Sequence, residues 1–203
     1  MGLFDGLRTQ NHFASLGSAF YTRLAPQGLT NPTLLHVNPA VAKKLGLQAE
    51  QIQSELFLGI MSGNEPLPGG DTLAAVYSGH QFGHWAGQLG DGRAHLLGAI
   101  QTEHEVLELQ LKGSGLTPYS RMGDGRAVLR SSLREYLASH AMQNLGIPTT
   151  EALAIVMSED PVYRETKETA AIVCRVAPSF VRFGSFEHWF NHPKQLLSAV
   201  RRA

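Results

Sequence analysis

Apolar residues recur at helical spacing between positions 129 and 145, and this pattern is the strongest constraint on the fold. The six apolar positions are Leu129, Leu133, Tyr136, Leu137, Ala141 and Leu145. Residues three and four apart share one face of an α-helix, and Gly146 with Pro148 is a common helix end. We therefore predict a helix over 129–145 with a buried leucine face. The opposite face surrounds Glu135 with small residues and few charges, so we expect it to be covered too and Glu135 to need a partner.

Period-two alternation marks a strand shortly before this helix. Leucine occupies positions 107, 109 and 111 of residues 106–112, and polar residues from Glu108 to Lys112 occupy the alternate positions. This pattern predicts a half-buried strand. Residues 95–100 are its predicted antiparallel partner through a turn at 101–104, and the apolar residues 171–176 predict a further strand. Together these patterns predict an α+β fold with an antiparallel sheet and a packed helix.

Two further patterns organise the first part of the chain. Residues 38–46 begin with Asn38 and Pro39 and end with Gly46, which predicts a short helix. Turn-forming residues are dense over 62–70 and predict an irregular loop with a boundary near residue 62. We therefore expect residues 1–62 to form an N-terminal extension of helices and irregular segments.

The charge balance argues against a polyanion as the expected partner. Lysine plus arginine number 17, as do aspartate plus glutamate, so we expect no nucleic-acid binding and only a local anion site. Cys174 is the only cysteine, which excludes an internal disulfide and favours a reducing, cytoplasmic compartment. No apolar stretch approaches the ~20 residues that cross a bilayer, and the first residues lack a signal-peptide pattern, so we expect no membrane association.

Two glycine-rich segments are candidates for binding an anion. Residues 87–93 include Gly90, Gly92 and Arg93, and residues 123–127 repeat the order Gly-Asp-Gly-Arg-Ala with Asp124 and Gly125. Glycine lets backbone N–H groups approach a phosphate, and the second segment precedes the predicted helix, whose N-terminus favours negative charge. The alternative is that each segment is a tight turn whose aspartate hydrogen-bonds its own backbone. The sequence alone leaves both open.

Three cationic residues and one carboxylate extend this anion hypothesis. Lys112 ends the predicted strand, and Glu135 on the covered helix face offers it an ion pair of the kind that kinase-like sites use. Arg175 ends an apolar strand, and Arg182 lies in an aromatic setting where a guanidinium group can stack and bind phosphate oxygens. The alternatives are a solvated lysine and structural arginines bound to backbone carbonyls.

Histidine spacing and short catalytic motifs give no other route to function. His80 and His84, like His188 and His192, have the i,i+4 spacing of helical metal ligands. Glycine beside the first pair argues against a helix and no third ligand is identifiable, so we predict structural histidines and no metal site made by this chain alone. The chain also lacks the nucleophile turn Gly-x-Ser-x-Gly, a Cys-x-x-Cys pair, a His-Glu-x-x-His helix and a Walker loop, which disfavours common hydrolase and P-loop classes.

Several long runs of the chain resemble the selenoprotein O (YdiU) family. One run is Leu109-Gln110-Leu111-Lys112-Gly113-Ser114-Gly115, which continues to residue 121. The others are residues 76–83, 87–94, 122–138, 146–150, 161–166 and 175–187. The resemblance extends from about residue 31 to residue 188, and ordered runs of this length are far more specific than a short motif.

The resemblance implies a protein-kinase-like fold in which ATP lies reversed, so that AMP passes from ATP to the Ser, Thr or Tyr hydroxyls of proteins. Residues 63–188 then form the kinase-like nucleotide-binding lobe, and Glu135 is the ion-pair partner of Lys112. ATP and Mg²⁺ or Mn²⁺ are the implied cofactors, and proteins with hydroxyl side chains are the implied substrates, while the oligomeric state stays open. The implied nucleotide contacts are Gly90, Gly92, Arg93, Lys112, Asp124, Gly125, Arg175 and Arg182.

Family members are considerably longer, and they carry a base-like aspartate and metal-holding asparagine and aspartate beyond the matched region. Residues 188–203 contain no Asp followed by Asn, so we expect this chain to be truncated before the catalytic loop and to bind nucleotide without transferring AMP by itself. Residues 189–203 are expected to be a divergent tail or the start of the next lobe. Two alternatives stay open: a non-catalytic nucleotide-binding module or inert fragment, and a conventional kinase.

Overall fold

An antiparallel sheet of nine strands forms the centre of the protein in the computed structural model, which describes residues 8–202. The strands of the described chain are β1 (Arg8–Gln10), β2 (Tyr21–Arg23), β3 (Thr33–Val37), β4 (Leu73–Ala75), β5 (Ser78–Gln81), β6 (His84–Gln88), β7 (Ala94–Gln101), β8 (Val106–Lys112), β9 (Ala127–Val128), β10 (Glu151–Tyr163) and β11 (Lys167–Ala177). The main path of the sheet runs β2-β4-β7-β8-β11-β10-β3, with β1 paired to β7 and β9 paired to β11. Strands β5 and β6 form a separate hairpin.

Helices cover both faces of this sheet. Those of the described chain are α1 (Pro39–Lys44), α2 (Ala49–Ile52), α3 (Glu55–Met61), α4 (Leu129–Asn144), α5 (Phe183–Trp189) and α6 (Pro193–Arg202). Two 3₁₀ turns, Phe13–Leu16 and Ser18–Phe20, precede β2. No helix among the described residues combines the length and apolar character needed to span a membrane.

The three predicted strands are confirmed and lie side by side. Strand β8 has the predicted bounds, and it pairs antiparallel with β7 from Ala94 opposite Lys112 to Gln101 opposite Val106. Strand β11 pairs antiparallel with the other edge of β8, with Arg175 opposite Gln110. The predicted α+β class with an antiparallel sheet and packed helices is therefore confirmed.

The prediction that β8 is half-buried is wrong, because both of its faces are covered. Its leucines pack into one apolar cluster with Val41, Phe57 and other residues of the N-terminal helices. The opposite face lies towards a second cluster that includes Phe20 and Phe180. Glu108 is buried there and accepts a hydrogen bond from the backbone N–H of Phe180 (2.6 Å). Polar residues on a strand can be internal when such partners satisfy them.

The short helix predicted at residues 38–46 is confirmed as α1. The Asn38 side chain accepts hydrogen bonds from the backbone N–H groups of Ala40 (3.0 Å) and Val41 (3.4 Å), which satisfies free donors of the first turn. After the helix, Gly46 takes the left-handed conformation at φ 74°, which glycine adopts without steric cost.

The division of the chain at residue 62 stays a prediction. Residues 62–70 contain no helix or strand, as expected of the loop. Strands β1, β2 and β3 from the N-terminal side pair with β7, β4 and β10 from the other side. The N-terminal residues therefore contribute three strands to the common sheet as well as helices.

Helix α4 is present where the sequence predicts it, but it turns its leucine face to the exterior. Leu133, Leu137 and Leu145 are 39%, 64% and 73% exposed, whereas Ser132 and Tyr136 are buried. Tyr136 packs with apolar residues of β10 and β11, and Ser139 donates a hydrogen bond to the Thr150 carbonyl (2.7 Å). The predicted buried leucine face is therefore wrong. The side of the helix that contacts the sheet contains Ser132, Glu135 and Tyr136, whereas Ala138 and Met142 on the face around Glu135 are exposed.

Candidate functional site

A cleft of about 680 Å³ opens where strands β8 and β11 meet the glycine turn before β7 and the loop 119–126. All eight predicted nucleotide-contact positions line this one cleft: Gly90, Gly92, Arg93, Lys112, Asp124, Gly125, Arg175 and Arg182. These residues span more than 90 positions of the chain. The sheet brings them together because β8 and β11 are neighbours and the turn that precedes β7 lies beside them.

The charges around the cleft are strongly unbalanced. Only two carboxylates, Asp91 and Asp124, line the cleft among the described residues. The cationic lining residues are Arg93, Lys112, Arg121, Arg126, Arg164, Arg175 and Arg182. A concave surface lined by charges of one sign concentrates ions of the opposite sign. The cleft can therefore attract a compact polyanion although the whole chain is neutral.

Lys112 and Glu135 meet beside the cleft. Lys112 is the last residue of β8, and its Nζ forms a salt bridge with Glu135 Oε2 from the side of α4 that contacts the sheet. Burial lowers the pKa of Lys112, and the hydrogen bond to Glu135 opposes that effect. The other carboxylate oxygen, Oε1, lies 3.4 Å from Arg175 Nε. Glu135 thus lies between two cations, on the wall of a smaller cavity next to the cleft.

Arg182 is held between aromatic rings and a buried carboxylate. Its guanidinium carbon lies 5.0 Å from the centre of the Tyr77 ring and 6.0 Å from that of Phe180, distances at which cation–π attraction operates. Its Nη2 lies 3.4 Å from Asp91 Oδ1. The Nε atoms of Arg182 and Arg175 are buried and find no hydrogen-bond partner within residues 8–202. Neither arginine is therefore saturated by protein acceptors.

The first glycine turn packs tightly against Tyr119. A Cβ at Gly90 would lie 2.7 Å from the Tyr119 Cβ, and one at Gly92 would lie 2.7 Å from the Tyr119 carbonyl oxygen. Both distances are too short for real side chains, so glycine is required here by close packing. The turn lines the cleft wall, and the Asp91 carboxylate accepts from the Ala75 backbone N–H and not from its own turn, unlike the aspartate of the tight-turn alternative.

In the second glycine turn, Asp124 is engaged by neighbouring residues. Its Oδ1 accepts a hydrogen bond from the Arg126 backbone N–H (3.0 Å), as the tight-turn alternative expects. Arg164 binds both carboxylate oxygens (2.7 and 3.0 Å), and this hydrogen bonding lowers the pKa of Asp124. The turn precedes α4 in the chain as expected, with the two-residue strand β9 between them.

Several cleft residues escaped prediction from the sequence. Arg126 follows the second Gly-Asp-Gly as Arg93 follows the first, so the repetition was a usable signal. Asp91 is the central residue of the first repeat and is buried against Arg182. No sequence pattern around Arg121 or Arg164 predicts that they line the cleft, because segments far apart in the chain bring them there.

The predicted structural histidines have nearby partners of their own. His80 stacks edge-on against Trp85, and the Nδ1 of His188 lies 2.7 Å from Ser78 Oγ. Within the part of the chain that the structure describes, no three His, Cys, Asp or Glu side chains are grouped so that they could hold a metal ion.

Comparison with known proteins gives matches over nearly the whole chain. A family model described as protein adenylyltransferase SelO matches residues 4–200. The chain is 70% identical over 183 residues to a protein nucleotidyltransferase YdiU of Bordetella petrii, which covers 90% of this chain and 37% of that protein. It is 62% identical over 184 residues to a protein of the same name from Dechloromonas aromatica, covering 91% and 37%. The chain therefore spans somewhat more than a third of the length of these relatives.

Proposed function

Because this chain belongs to the protein adenylyltransferase SelO family, we propose that its basic cleft binds the triphosphate of ATP and serves the transfer of AMP to hydroxyl groups of proteins. The observation that carries the proposal is the convergence of seven cationic side chains on one cleft that contains two carboxylates. Both carboxylates already face arginines. The net positive charge therefore remains available to phosphate oxygens.

The proposed roles follow from the positions of the charges. Arg93, Lys112, Arg175 and Arg182 surround the phosphates, and Glu135 fixes the direction of the Lys112 ammonium. The arginines present planar donors that can bind phosphate oxygens two at a time. Such preorganised donors stabilise negative charge where it develops in the transition state, and this is the main protein contribution to phosphoryl-type transfer.

The chemical step is a substitution at the α-phosphorus of ATP. An acceptor hydroxyl oxygen of Ser, Thr or Tyr forms a bond to this phosphorus, the bond to the β-phosphate oxygen breaks, and pyrophosphate leaves with the negative charge. The cationic cleft stabilises that leaving group. The hydroxyl proton passes to a base that we do not assign to any residue of this chain. When bound, Mg²⁺ or Mn²⁺ would neutralise phosphate charge, but no group of potential ligands among residues 8–202 fits a metal ion, so we derive no step through it.

We also propose that the sheet and helix α4 correspond to the amino-terminal lobe of protein kinases. There a strand lysine contacts the nucleotide phosphates and a helix glutamate pairs with it. Lys112 at the end of β8 and Glu135 on α4 stand in the same relation, beside an antiparallel sheet. We further propose a cytoplasmic setting, which the single, buried and unpaired cysteine supports.

Calorimetric titration of ATP into the 203-residue chain tests the nucleotide site. We expect Lys112→Met and Arg182→Gln each to weaken ATP binding about tenfold. Each substitution removes one cation that contacts a phosphate in the proposed complex, and solvent partly screens this attraction. Lys44→Met is the matched control, since Lys44 is also an ion-paired lysine but contacts Glu151 (2.8 Å) and Glu105 (3.1 Å) away from the cleft. Unchanged affinity in both cleft variants would favour an inert fragment.

A labelling experiment on a full-length relative separates AMP transfer from conventional phosphorylation, with which the Lys–Glu pair is equally compatible. With ATP labelled at the α-phosphate, we expect label on the protein acceptor and release of pyrophosphate. Label transferred from the γ-phosphate with release of ADP would contradict the proposed reaction and identify a kinase.

A further inference from the structure

Asp91 is a buried carboxylate at the centre of the first glycine turn. The residue is 3% exposed. Its Oδ2 accepts hydrogen bonds from the Gln110 side-chain amide (3.0 Å) and from the Ala75 backbone N–H (3.2 Å). Its backbone N–H donates to the Ala75 carbonyl (2.9 Å), and its carbonyl accepts from the Thr117 hydroxyl (2.8 Å). Two hydrogen bonds therefore hold the carboxylate, and two more hold the backbone that carries it.

The free side of this carboxylate faces Arg182. Asp91 Oδ1 lies 3.4 Å from Arg182 Nη2, and this is the only ion pair of Arg182 within residues 8–202. The same guanidinium group also lies over the faces of Tyr77 and Phe180. Aromatic faces attract a cation without fixing the direction of its N–H groups. Among the partners of the Arg182 side chain in the described chain, only Asp91 supplies an acceptor that sets the direction of the guanidinium N–H groups.

We propose that Asp91 is a positioning residue for phosphate binding: its buried carboxylate directs the Arg182 guanidinium group into the cleft and couples it to the glycine turn. The inference rests on the proposed binding of ATP in this cleft. It adds a residue that does not itself touch the phosphates but decides how one of their cationic ligands is held.

The physical basis is preorganisation. An arginine side chain loses rotamer freedom when it binds a ligand, and this loss weakens binding unless the side chain is already ordered. A buried carboxylate that is itself held by hydrogen bonds orders the guanidinium group in advance. Asp91 is part of the turn whose glycines line the cleft. The same residue therefore also fixes the position of Arg182 relative to this turn.

A double-mutant cycle distinguishes this role from a purely structural one. Asp91→Asn keeps the size of the side chain and one acceptor oxygen but removes the charge, and Arg182→Gln removes the group on which Asp91 is proposed to act. We expect Asp91→Asn to weaken binding of ATP and of tripolyphosphate roughly tenfold in the wild-type background, within the range of couplings between contacting residues. In the Arg182→Gln background, the same change should have almost no effect. Asp71→Asn is the matched control, because Asp71 pairs with Arg23 (2.8 Å) outside the cleft.

Two results would overturn the proposal while leaving ATP binding intact. Equal losses from Asp91→Asn in both backgrounds would show that Asp91 acts independently of Arg182, and unchanged affinity would show that it does not act on binding at all. Failure of the wild-type chain to bind either anion would instead contradict the proposed function.

An NMR measurement covers the case in which Asp91→Asn does not fold. In the wild-type chain, an Arg182 guanidinium group held by the carboxylate should show hindered rotation and separate Nη resonances. Freely averaged Nη signals for Arg182 would refute the positioning role.

Discussion

His95 should make the folded state sensitive to mild acid. This side chain is fully buried in β7, and its Nδ1 lies 2.8 Å from Ser114 Oγ. The Ser114 hydroxyl can donate to this nitrogen or accept from it, so it satisfies Nδ1 in either tautomer. The other ring nitrogen, Nε2, is buried with no hydrogen-bond partner in the described chain. A second proton on this ring would therefore be a buried charge without an acceptor.

Burial, and secondarily the positive charge of Arg126, lower the pKa of His95 from its ordinary 6.5 to about 4. Between these two values, the unfolded chain binds a proton that the folded chain does not. Falling pH therefore favours the unfolded state, and stability is lost as the pH drops below about 6.5. From pH 8 to pH 5, the loss from this one group is about 2 kcal/mol, and it approaches about 3 kcal/mol below pH 4.

Urea unfolding of the wild type and of His95→Asn at pH 8, 6 and 5 measures this loss. Asparagine can place an amide donor near the position of Nδ1 and does not titrate in this range. We expect the wild type to lose about 2 kcal/mol more than His95→Asn between pH 8 and pH 5. The other eight histidines are present in both proteins, so their effects cancel. Parallel losses in the two proteins would refute the assignment of acid sensitivity to His95.

Three further predictions concern packing. Tyr136→Ala should lower the free energy of unfolding by about 3 kcal/mol, whereas Leu137→Gln on the exposed face of α4 should change it by no more than about 0.5 kcal/mol; the reverse order would mean that the leucine face is covered. Cys174, whose burial raises the pKa of its thiol to about 12, should react with a thiol reagent at least about a hundredfold more slowly in the folded chain than in urea, and rapid labelling of the folded chain would contradict its burial. Gly92→Ala would bring a Cβ within 2.7 Å of a backbone carbonyl oxygen and should lower the free energy of unfolding by about 1–3 kcal/mol. Gly79→Ala, whose new Cβ would have its nearest contact at 3.5 Å, should leave thermal unfolding nearly unchanged.

The sequence predicted which segments form the sheet better than it predicted what covers them. The bounds of β8 follow from an alternation of residue types, which is a local property of the chain. The burial of Glu108 and Gln110 depends on Phe180 and Asp91, which lie far away in sequence. No local pattern contains that information.

Helix α4 illustrates the same limit. Apolar spacing located the helix, but the choice of face was decided by Tyr136, which fits the apolar residues of β10 and β11. At the candidate site, residue types and repeated glycine turns predicted several of the cationic residues and glycines that line the cleft. Asp91 was missed because a carboxylate in a glycine turn usually caps its own backbone, as Asp124 does.

Helix α4 makes only a small apolar contact with the sheet, so its packing should be coupled to anion binding in the cleft. Tyr136 and a few aliphatic neighbours supply its buried contact with the sheet, and the Lys112–Glu135 salt bridge adds a polar tether at the cleft wall. An anion that draws the Lys112 ammonium away from Glu135 loosens that tether, whereas one bound by Lys112 without breaking the pair strengthens it. By thermodynamic reciprocity, whatever holds α4 against the sheet changes anion affinity by the same factor. Under the proposed function, a contact on the outward leucine face of this helix would change phosphate affinity although it lies away from the cleft.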